Sequence, residues 1–256
     1  MKVAILCGGQ GTRLREETEF RPKPMVEIGG RPILWHILRH YARYGHHEFV
    51  LCLGYKGEVI RNWVLNYPAM NSDVTVHIGS QRIDYVEPVR DEKDWVVTLA
   101  DTGAATPTGG RLRKVSRHLE GGTFLATYGD GLSNIDIGKL LAFHRARGKI
   151  ATVTGVRPLT RFGELAVKDG IATGFQEKPQ LEEGWVNGGF FVFEQGIFDY
   201  LSDDATLERE PLERLTRDGQ LAVYEHVGYW TAMDTFRETQ QLNEEWASGK
   251  PGWLEP

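Results

Sequence analysis

The residues with the clearest chemical pattern stand near the start of the chain, in the stretch LCGGQGTRL. Gly8, Gly9 and Gly11 follow a short apolar run, and Arg13 comes soon after them. Glycines after a first strand let the backbone approach a phosphate, although a plain tight turn has the same composition. The stretch matches neither of two common phosphate loops, because it lacks both the Gly-Lys-Ser/Thr of a P-loop and the last glycine of a dinucleotide loop.

A second cation, Lys23, lies between Pro22 and Pro24. Each proline fixes its own φ and biases the residue before it toward extended backbone, so we expect a stiff segment that presents the lysine. A lysine taken alone is most often a solvated surface residue. Together with Arg13 and the glycines, it predicts a two-cation clamp on phosphate groups.

Two aspartates lie where the pattern predicts the end of a strand or the start of a helix. Asp130, in TYGDG, follows an apolar run and is expected at the carboxyl end of a strand, where open α/β sheets bind ligands. An ordinary Asp-Gly turn has the same pattern. Asp234, in YWTAMDT, has the pattern of a helix N-cap before Thr235. Spacing alone does not connect these two aspartates.

Two stretches in the second half carry polar residues next to proline or glycine. FQEKP contains Glu177 and Lys178, which suit a sugar hydroxyl and a phosphate, or form an exposed ion pair in a turn. VNGGFFVF contains Asn187 before a glycine pair. This pair lets a sugar ring lie close to the backbone, or forms a β-bulge.

A third stretch, TPTGGRL, contains Gly109, Gly110 and Arg111 ahead of a helical pattern. Its glycine pair lets backbone groups contact the edge of a base. The guanidinium of Arg111 can reach a phosphate or a base.

Alternating strand and helix patterns would position these residues. Apolar runs predict strands at 3–7, 49–53, 74–78, 95–99, 123–128 and 150–156, and helical spacing predicts helices at 33–44, 59–64, 112–119 and 137–144. The second half adds strands at 165–167, 171–176 and 190–193, as a mixed or antiparallel extension of the sheet, and helices at 207–215 and 235–246. We therefore predict an α/β fold with a Rossmann-like mixed, mostly parallel sheet flanked by helices, in one domain.

The composition excludes several classes of protein. The 256 residues are 41% hydrophobic and 25% charged, with a net charge of −5, which argues against a sequence-independent nucleic-acid coat. No apolar run approaches the ~18 residues of a membrane span, and the N-terminus has no signal-peptide pattern. Cys7 and Cys52 lie in apolar runs without metal-ligand spacing, so we expect buried thiols and a cytoplasmic protein.

These stretches together resemble the sugar-nucleotide pyrophosphorylases, which join a nucleoside triphosphate to a sugar 1-phosphate. The family pattern is GGxGTRL, a spacer and PKP, and this chain has GGQGTRL and RPKPM. The spacer residues Glu16-Glu17-Thr18 and the stretches GYKGEVI, DTGAATPTGGRL, FQEKP and MDT resemble the cytidylyltransferase branch. Ala232 stands where relatives often have proline. The resemblance runs from residue 2 to about residue 246.

The resemblance implies the nucleotide-diphospho-sugar transferase fold, with a nucleotide-binding half at 1–130 and a sugar-phosphate-binding half at 131–256. It implies Mg²⁺ held by Asp130 and Asp234, with Arg13, Lys23 and Asp130 as catalytic residues. The nucleotide-binding residues that it implies are Leu6, Cys7, Gly8, Gly9, Gln10, Gly11, Thr12, Arg13, Gly109, Gly110, Arg111 and Gly129. The sugar-phosphate-binding residues that it implies are Lys23, Glu177, Lys178 and Asn187.

The resemblance implies the conversion of CTP and glucose 1-phosphate to CDP-glucose and pyrophosphate. It also implies assembly as a homo-oligomer. A phosphate monoester has its second pKa near ~6, so its oxygen attacks without a general base. Lys23 would contact either the sugar phosphate or the α-phosphate. Two alternatives stay open: a relative that uses UTP, dTTP, GTP or another hexose, and a regulatory relative that binds sugar nucleotides without turnover.

Overall fold

The computed structural model describes residues 1–86, 92–157, 164–168, 170–176 and 184–254. The α-helices in this part are α1 (Arg15–Thr18), α2 (Ile33–Ala42), α3 (Gly57–Leu65), α4 (Tyr67–Asn71), α5 (Thr108–Lys114), α6 (Ile137–Arg147), α7 (Glu210–Arg217) and α8 (Phe236–Ala247). Short 3-10 turns cover Lys23–Met25, Ser116–His118 and Gln195–Tyr200. No helix among the described residues is long and apolar enough to cross a membrane.

The strands of the described residues are β1 (Lys2–Leu6), β2 (Glu27–Ile28), β3 (Arg31–Pro32), β4 (Glu48–Leu53), β5 (Asp73–His77), β6 (Arg82–Val86), β7 (Val96–Asp101), β8 (Phe124–Tyr128), β9 (Gly131–Ser133), β10 (Ala151–Val156), β11 (Glu164–Lys168), β12 (Ile171–Gln176), β13 (Val186–Asn187), β14 (Phe191–Phe193), β15 (Leu221–His226) and β16 (Trp230–Ala232). Most of the predicted elements therefore exist, with ends shifted by a few residues.

Eight strands form the central sheet, in the order β13-β10-β14-β8-β1-β4-β7, with β15 paired to β10. The strands β8, β1, β4 and β7 are parallel neighbours, while β14 runs antiparallel to both β8 and β10. This confirms the mixed, mostly parallel sheet predicted from the sequence. The parallel part brings the carboxyl ends of β1 and β8 together at one edge, with Leu6 opposite Tyr128.

Both faces of the sheet are covered by helices. Val3 and Ile5 belong to a core cluster that also contains buried residues of α2, α6 and α8, whereas Ala4 and Leu6 belong to a second cluster with residues of α5 and α7. Successive residues of a strand point to opposite faces, so one apolar strand supplies both cores. The layered core makes the sheet edge a rigid platform for the loops that follow β1 and β8.

Two predicted elements differ in detail. The helix expected at 112–119 begins earlier, at Thr108. Its first turn contains Gly109 and Gly110, which pack directly against the backbone of residues 203–205. The strand expected at 74–78 forms a separate hairpin with β6, and β11 pairs with β12 in another two-stranded sheet. Of the extension predicted for the second half, β14 joins the central sheet and the β11–β12 pair does not.

Candidate active site

A cleft of about 560 Å³ opens where β1 and β8 end. Its walls come from the loops after these strands, the start of α5, and the segments around β13 and β16. The lining residues are Leu6, Cys7, Gly8, Gly9, Gly11, Thr12, Arg13, Lys23, Pro24, Thr106, Pro107, Thr108, Arg111, Thr127, Tyr128, Gly129, Asp130, Gly131, Asn187, Gly188, Trp230, Ala232 and Asp234. Residues from five separate parts of the chain thus share one cavity.

Four charged side chains meet in this cleft. The Lys23 ammonium donates hydrogen bonds to Asp130 Oδ2 at 2.6 Å and to Asp234 Oδ1 at 2.5 Å. The other carboxylate oxygen of Asp234 pairs with the Arg13 guanidinium at 2.7 Å. Lys23 is buried, whereas Arg13 remains largely exposed at the mouth. Two cations and two carboxylates therefore form one connected cluster.

A small antiparallel sheet brings the two aspartates together. In this sheet β9 pairs with β16 so that Gly131 lies opposite Ala232, and the Met233 N–H donates to the Asp130 carbonyl at 2.9 Å. Asp130 directly precedes β9, and Asp234 follows β16 by two residues. The pairing therefore supplies the connection between these aspartates that spacing alone does not give.

The helix that follows Asp234 fixes its backbone. Thr235, rather than Asp234, is the N-cap of α8, and it forms a capping box with Glu238. The carboxylate of Glu238 also accepts the N–H of Asp234 at 2.6 Å. The N-cap expected at Asp234 is thus one residue later, and the Asp234 carboxylate pairs with Lys23 and Arg13 in the cleft instead of capping α8.

The backbone around Lys23 only partly follows the prediction. Pro22 is extended, with ψ 153°, but Lys23 begins a 3-10 turn instead of continuing the extended segment. Pro24 fits inside this turn because an early helical position requires no N–H donor. The turn directs the lysine into the cleft.

The charge state of Lys23 reflects two opposing effects. Burial disfavours its charged form, but the adjacent carboxylates of Asp130 and Asp234 outweigh burial and raise the pKa of Lys23 above its ordinary value. The lysine is therefore a fixed cation at neutral pH. It stands at the point where the two carboxylates converge.

This donor set also fits a divalent metal. Mg²⁺ binds oxygen ligands, typically one or two carboxylates together with substrate phosphates, rather than an all-protein cage. Asp130 and Asp234 supply two carboxylates around a position that already holds a cationic group. The described residues contain no group of three or more His, Cys, Asp or Glu side chains that could hold a metal ion.

Arg111 lines the cleft, and its guanidinium is bound by oxygens of the protein itself. Its Nη1 donates to Leu53 O, Thr102 Oγ1 and Gly103 O at 2.6–3.1 Å, and its Nη2 donates to Gly8 O at 3.0 Å and Ala104 O at 3.2 Å. The side chain is buried, and burial lowers its pKa. Arg111 therefore connects the glycine loop to the ends of β4 and β7, while a contact with a nucleotide stays a prediction.

Gly8 allows this arrangement. A Cβ on Gly8 would overlap the guanidinium of Arg111, whereas a Cβ on Gly9 would meet no atom within 4 Å. Gly8 is thus required by the close approach of an arginine to the backbone. Gly9 is free of that constraint and lies exposed at the mouth of the cleft.

Asn187, at the end of β13, lines another part of the cleft. Its Nδ2 donates to the Tyr128 hydroxyl at 3.0 Å, and its Oδ1 accepts the Gly189 N–H at 2.9 Å. Trp230 donates its indole N–H to Gly188 O at 2.8 Å, so this part of the cleft is joined to β16. Asn187 is therefore attached to the end of β8 and, through its neighbour Gly188, to β16.

Most of the predicted site residues line the cleft, and the others fall into two groups. Leu6, Cys7, Gly8, Gly9, Gly11, Thr12, Arg13, Lys23, Arg111, Gly129, Asp130, Asn187 and Asp234 line the cleft. Gln10, Gly109 and Gly110 are described but are not among the lining residues. Glu177 and Lys178 lie outside the described residues. Burial raises the pKa of the Cys7 thiol, so it lines the cleft as a protonated group.

Sequence reasoning missed other lining residues, notably Thr108, Tyr128 and Trp230. Tyr128 directly precedes the Gly-Asp pair of TYGDG, so its place at a strand end was available as a signal. Thr108 and Trp230 gave no comparable signal, because their positions depend on how distant segments pack.

Comparisons with known proteins agree with this geometry. A family model described as Nucleotidyl transferase matches residues 2–235. Glucose-1-phosphate cytidylyltransferases of Salmonella typhimurium and Salmonella typhi are each 46% identical over 259 residues, covering 99% of this chain and 98% of theirs. The crystal structure of HddC from Yersinia pseudotuberculosis complexed with GMP-PN superposes with a TM-score of 0.66 at 22% identity, over 96% of this chain and 99% of that one. These findings confirm the resemblance and the fold predicted from the sequence.

Proposed function

The chain belongs to the nucleotidyl transferase family, and we propose that it is a glucose-1-phosphate cytidylyltransferase that converts CTP and glucose 1-phosphate to CDP-glucose and pyrophosphate. The observation that carries the proposal is the cluster of Arg13, Lys23, Asp130 and Asp234 beside a glycine loop. Identity of 46% to glucose-1-phosphate cytidylyltransferases over nearly the whole chain supports the choice of substrates.

The reaction requires positioning and charge neutralisation more than proton transfer. A sugar-phosphate oxygen attacks the α-phosphorus of CTP in line, a new P–O bond forms, and the bond to pyrophosphate breaks. Because a phosphate monoester has its second pKa near ~6, the attacking oxygen is already ionised at neutral pH. The residues of the cleft act by holding the reacting groups and by offsetting their negative charge.

Each charged residue has a role in this scheme. Lys23 contacts the sugar phosphate or the α-phosphate, and Arg13 with the amides of the glycine loop holds the departing pyrophosphate. Asp130 and Asp234 would hold Mg²⁺, which when bound offsets charge on the phosphate oxygens. Lys23 lies between both carboxylates, so its ammonium is held beside the position that the metal ion would take.

The two halves of the chain divide the substrates in this proposal. The half at 1–130 binds the nucleotide, and the half at 131–256 supplies the sugar-phosphate side through Asn187, with Glu177 and Lys178 carried over from the family resemblance. Asn187 and Lys23 line the same cleft, which supports this division. Cytosine differs from uracil by an N4 amino donor in place of the O4 acceptor and by an N3 acceptor in place of the N3–H donor, so the choice of base depends on contacts of opposite polarity along this edge.

A panel of nucleotides and sugar phosphates tests the proposal. The purified chain is incubated with Mg²⁺, one of CTP, UTP, dTTP or GTP, and one hexose 1-phosphate, and pyrophosphate release is measured. We expect the highest kcat/KM with CTP and glucose 1-phosphate. A strong preference for UTP, or for another pair of substrates, would show that the proposed assignment of CTP and glucose 1-phosphate is wrong. Binding of CTP and glucose 1-phosphate without any product would identify a regulatory relative.

We also propose that the chain assembles as a homo-oligomer in the cytoplasm. All side chains of the β5–β6 hairpin are exposed, including Val76, Ile83 and Tyr85, and its two strands pair only with each other within the described residues. An isolated two-stranded hairpin is marginally stable, so an additional contact would favour it. The buried free thiols Cys7 and Cys52 are compatible with a reducing compartment. Sedimentation velocity tests the assembly, and a monomer at all concentrations would exclude it.

A further inference from the structure

Glu208 holds two residues of the cleft although it does not line the cleft itself. It lies between the fully buried Leu207 and the start of α7. Its Oε1 accepts a hydrogen bond from the Tyr128 hydroxyl at 2.6 Å, and its Oε2 accepts one from the Thr108 hydroxyl at 2.6 Å. Each carboxylate oxygen is thus used by a different lining residue.

Thr108 fixes the position of this carboxylate. The Thr108 hydroxyl donates to Glu208 and at the same time accepts the Leu207 N–H at 2.9 Å. Its hydrogen bonds are therefore made within the protein, to two consecutive residues of one segment. Because Leu207 is buried in the core formed with α5 and α7, the carboxylate is attached to a rigid part of the fold.

The carboxylate also sets the direction of the hydrogen bonds beyond it. An ionised carboxylate only accepts, so the single proton of the Tyr128 hydroxyl must point toward Glu208. The phenol oxygen then accepts from Asn187 Nδ2 at 3.0 Å. Asn187 is held at its other end by the Gly189 N–H. The side-chain amide of Asn187 is thereby oriented, with its second N–H available to a ligand.

The environment of Tyr128 keeps its phenol in the protonated form that donates to Glu208. Burial, together with the neighbouring Glu208, raises the pKa of the Tyr128 phenol. The phenol therefore stays protonated and continues to donate. Its ring is also packed edge-on against Phe191, with centroids 5.7 Å apart, so the hydroxyl has little freedom to move away.

We propose that Glu208 is a positioning residue for the sugar-phosphate side of the cleft, acting through Tyr128 to orient the side-chain amide of Asn187. This inference rests on the proposed function for the identity of the ligand, glucose 1-phosphate. The orientation itself is a property of the free protein. The four residues Thr108, Glu208, Tyr128 and Asn187 form what we call the hydroxyl–amide chain.

The kinetic test compares variants that break the hydroxyl–amide chain at different points. Glu208→Gln introduces an amide that can donate, so the Tyr128 hydroxyl is no longer forced to donate its proton to residue 208. Tyr128→Phe removes the hydroxyl itself. We expect each to raise the KM for glucose 1-phosphate about tenfold, while the KM for CTP changes less than about twofold. The double variant should be no worse than the single ones, because both break the same path.

The controls are matched in chemistry and position. Glu210→Gln changes a carboxylate two residues away that pairs with Arg214 on α7, and Tyr200→Phe removes another tyrosine–carboxylate hydrogen bond, made to Asp218 at 2.9 Å. Neither control residue lines the cleft. Both should keep the kinetics of the unmodified protein. Equal increases in both KM values, additive effects in the double variant, or no change would overturn the inference.

A spectroscopic measurement separates this inference from the proposed function. The side-chain NH₂ signals of Asn187, assigned by their loss in Asn187→Asp, are recorded by ¹H–¹⁵N NMR without substrate. We expect Glu208→Gln and Tyr128→Phe to shift these signals, and Glu210→Gln to leave them in place. Unshifted signals in both chain variants would overturn the positioning role. If the protein is inactive with CTP and glucose 1-phosphate, the proposed function is refuted, but the NMR result still tests the orientation of Asn187. If Glu208→Gln does not fold, Tyr128→Phe alone provides the test.

Discussion

Two buried cations, Lys23 and Arg111, lie beside the same glycine loop. The hydrogen-bond acceptors of the first are charged, and those of the second are neutral. Lys23 is bound by two carboxylates, those of Asp130 and Asp234. Arg111 is bound by four backbone carbonyl oxygens and one hydroxyl, all neutral, from Gly8, Leu53, Thr102, Gly103 and Ala104. The first cation shares its partners with the expected metal ion, whereas the second has partners that belong to the fold.

This difference predicts separate consequences for the two residues. An ammonium held by two carboxylates can exchange them for phosphate oxygens, so Lys23 should affect the rate. A planar guanidinium that donates to five oxygens in fixed directions cannot leave without unpairing buried carbonyls, so Arg111 should mainly affect stability. The four substitutions below test this separation.

The largest effect is expected from Lys23→Met, because it removes a charge that contacts a reacting phosphate. We expect kcat to fall by about 10²- to 10³-fold, as for other preorganised electrostatic contacts. Steady-state kinetics with CTP and glucose 1-phosphate measure this effect. The control is Lys139→Met, an exposed lysine of α6 outside the cleft. A Lys23→Met enzyme within threefold of the unmodified rate would contradict the role of Lys23.

Arg111→Lys should reduce the free energy of unfolding by about 2–3 kcal/mol. A lysine keeps the charge but cannot donate to all five oxygens, and each unpaired buried group is costly. Urea denaturation measures the change. Arg117→Lys, on the neighbouring 3-10 turn and exposed, serves as the control. Unchanged stability would show that the oxygens around Arg111 find other donors and would remove the contrast with Lys23.

Gly8→Ala tests the same contact by changing the backbone partner of Arg111. Its methyl group would overlap the guanidinium, so we expect a loss of about 2 kcal/mol, typical of overpacking. Gly9→Ala is the matched control for stability, since a Cβ there meets nothing within 4 Å. Thermal denaturation of both variants gives the comparison. Equal melting temperatures would mean that Gly8 is not held closely by Arg111.

The smallest effect is expected from Thr235→Ala, which acts on the Lys23 cluster through the backbone. Loss of the capping box of α8 should cost about 1 kcal/mol and loosen the position of Asp234. Denaturation measures the stability, and titration of Mg²⁺ in the presence of CTP measures the effect on the site. Thr216→Ala, in the exposed part of α7, is the control. If both variants have the same stability and Mg²⁺ dependence, the cap does not support Asp234.

The sequence predicted the Lys23 cluster better than the surroundings of Arg111. The glycines, Arg13 and Lys23 lie within one short segment, so local pattern predicted a phosphate clamp there. A strand end marked the place of Asp130, but its expected metal-binding role came from the family resemblance. Asp234 entered only through family resemblance, because its position depends on the pairing of β9 with β16.

Arg111 was correctly placed near the cleft, but its partners were not foreseen. They come from loops after three strands that are neighbours only in the folded sheet. The start of α5 at Thr108 and the separate β5–β6 hairpin depend similarly on tertiary packing. Local periodicity predicts that a helix or strand exists, while its ends and neighbours are set by contacts distant in sequence.

The most direct test of the account is product analysis. The unmodified chain and Lys23→Met are incubated with Mg²⁺, CTP and glucose 1-phosphate, and both products are quantified by ³¹P NMR. The account predicts equal amounts of CDP-glucose and pyrophosphate from the unmodified chain, and strongly reduced amounts of both from the variant. Release of pyrophosphate without CDP-glucose, or equal product formation by the two proteins, would contradict it.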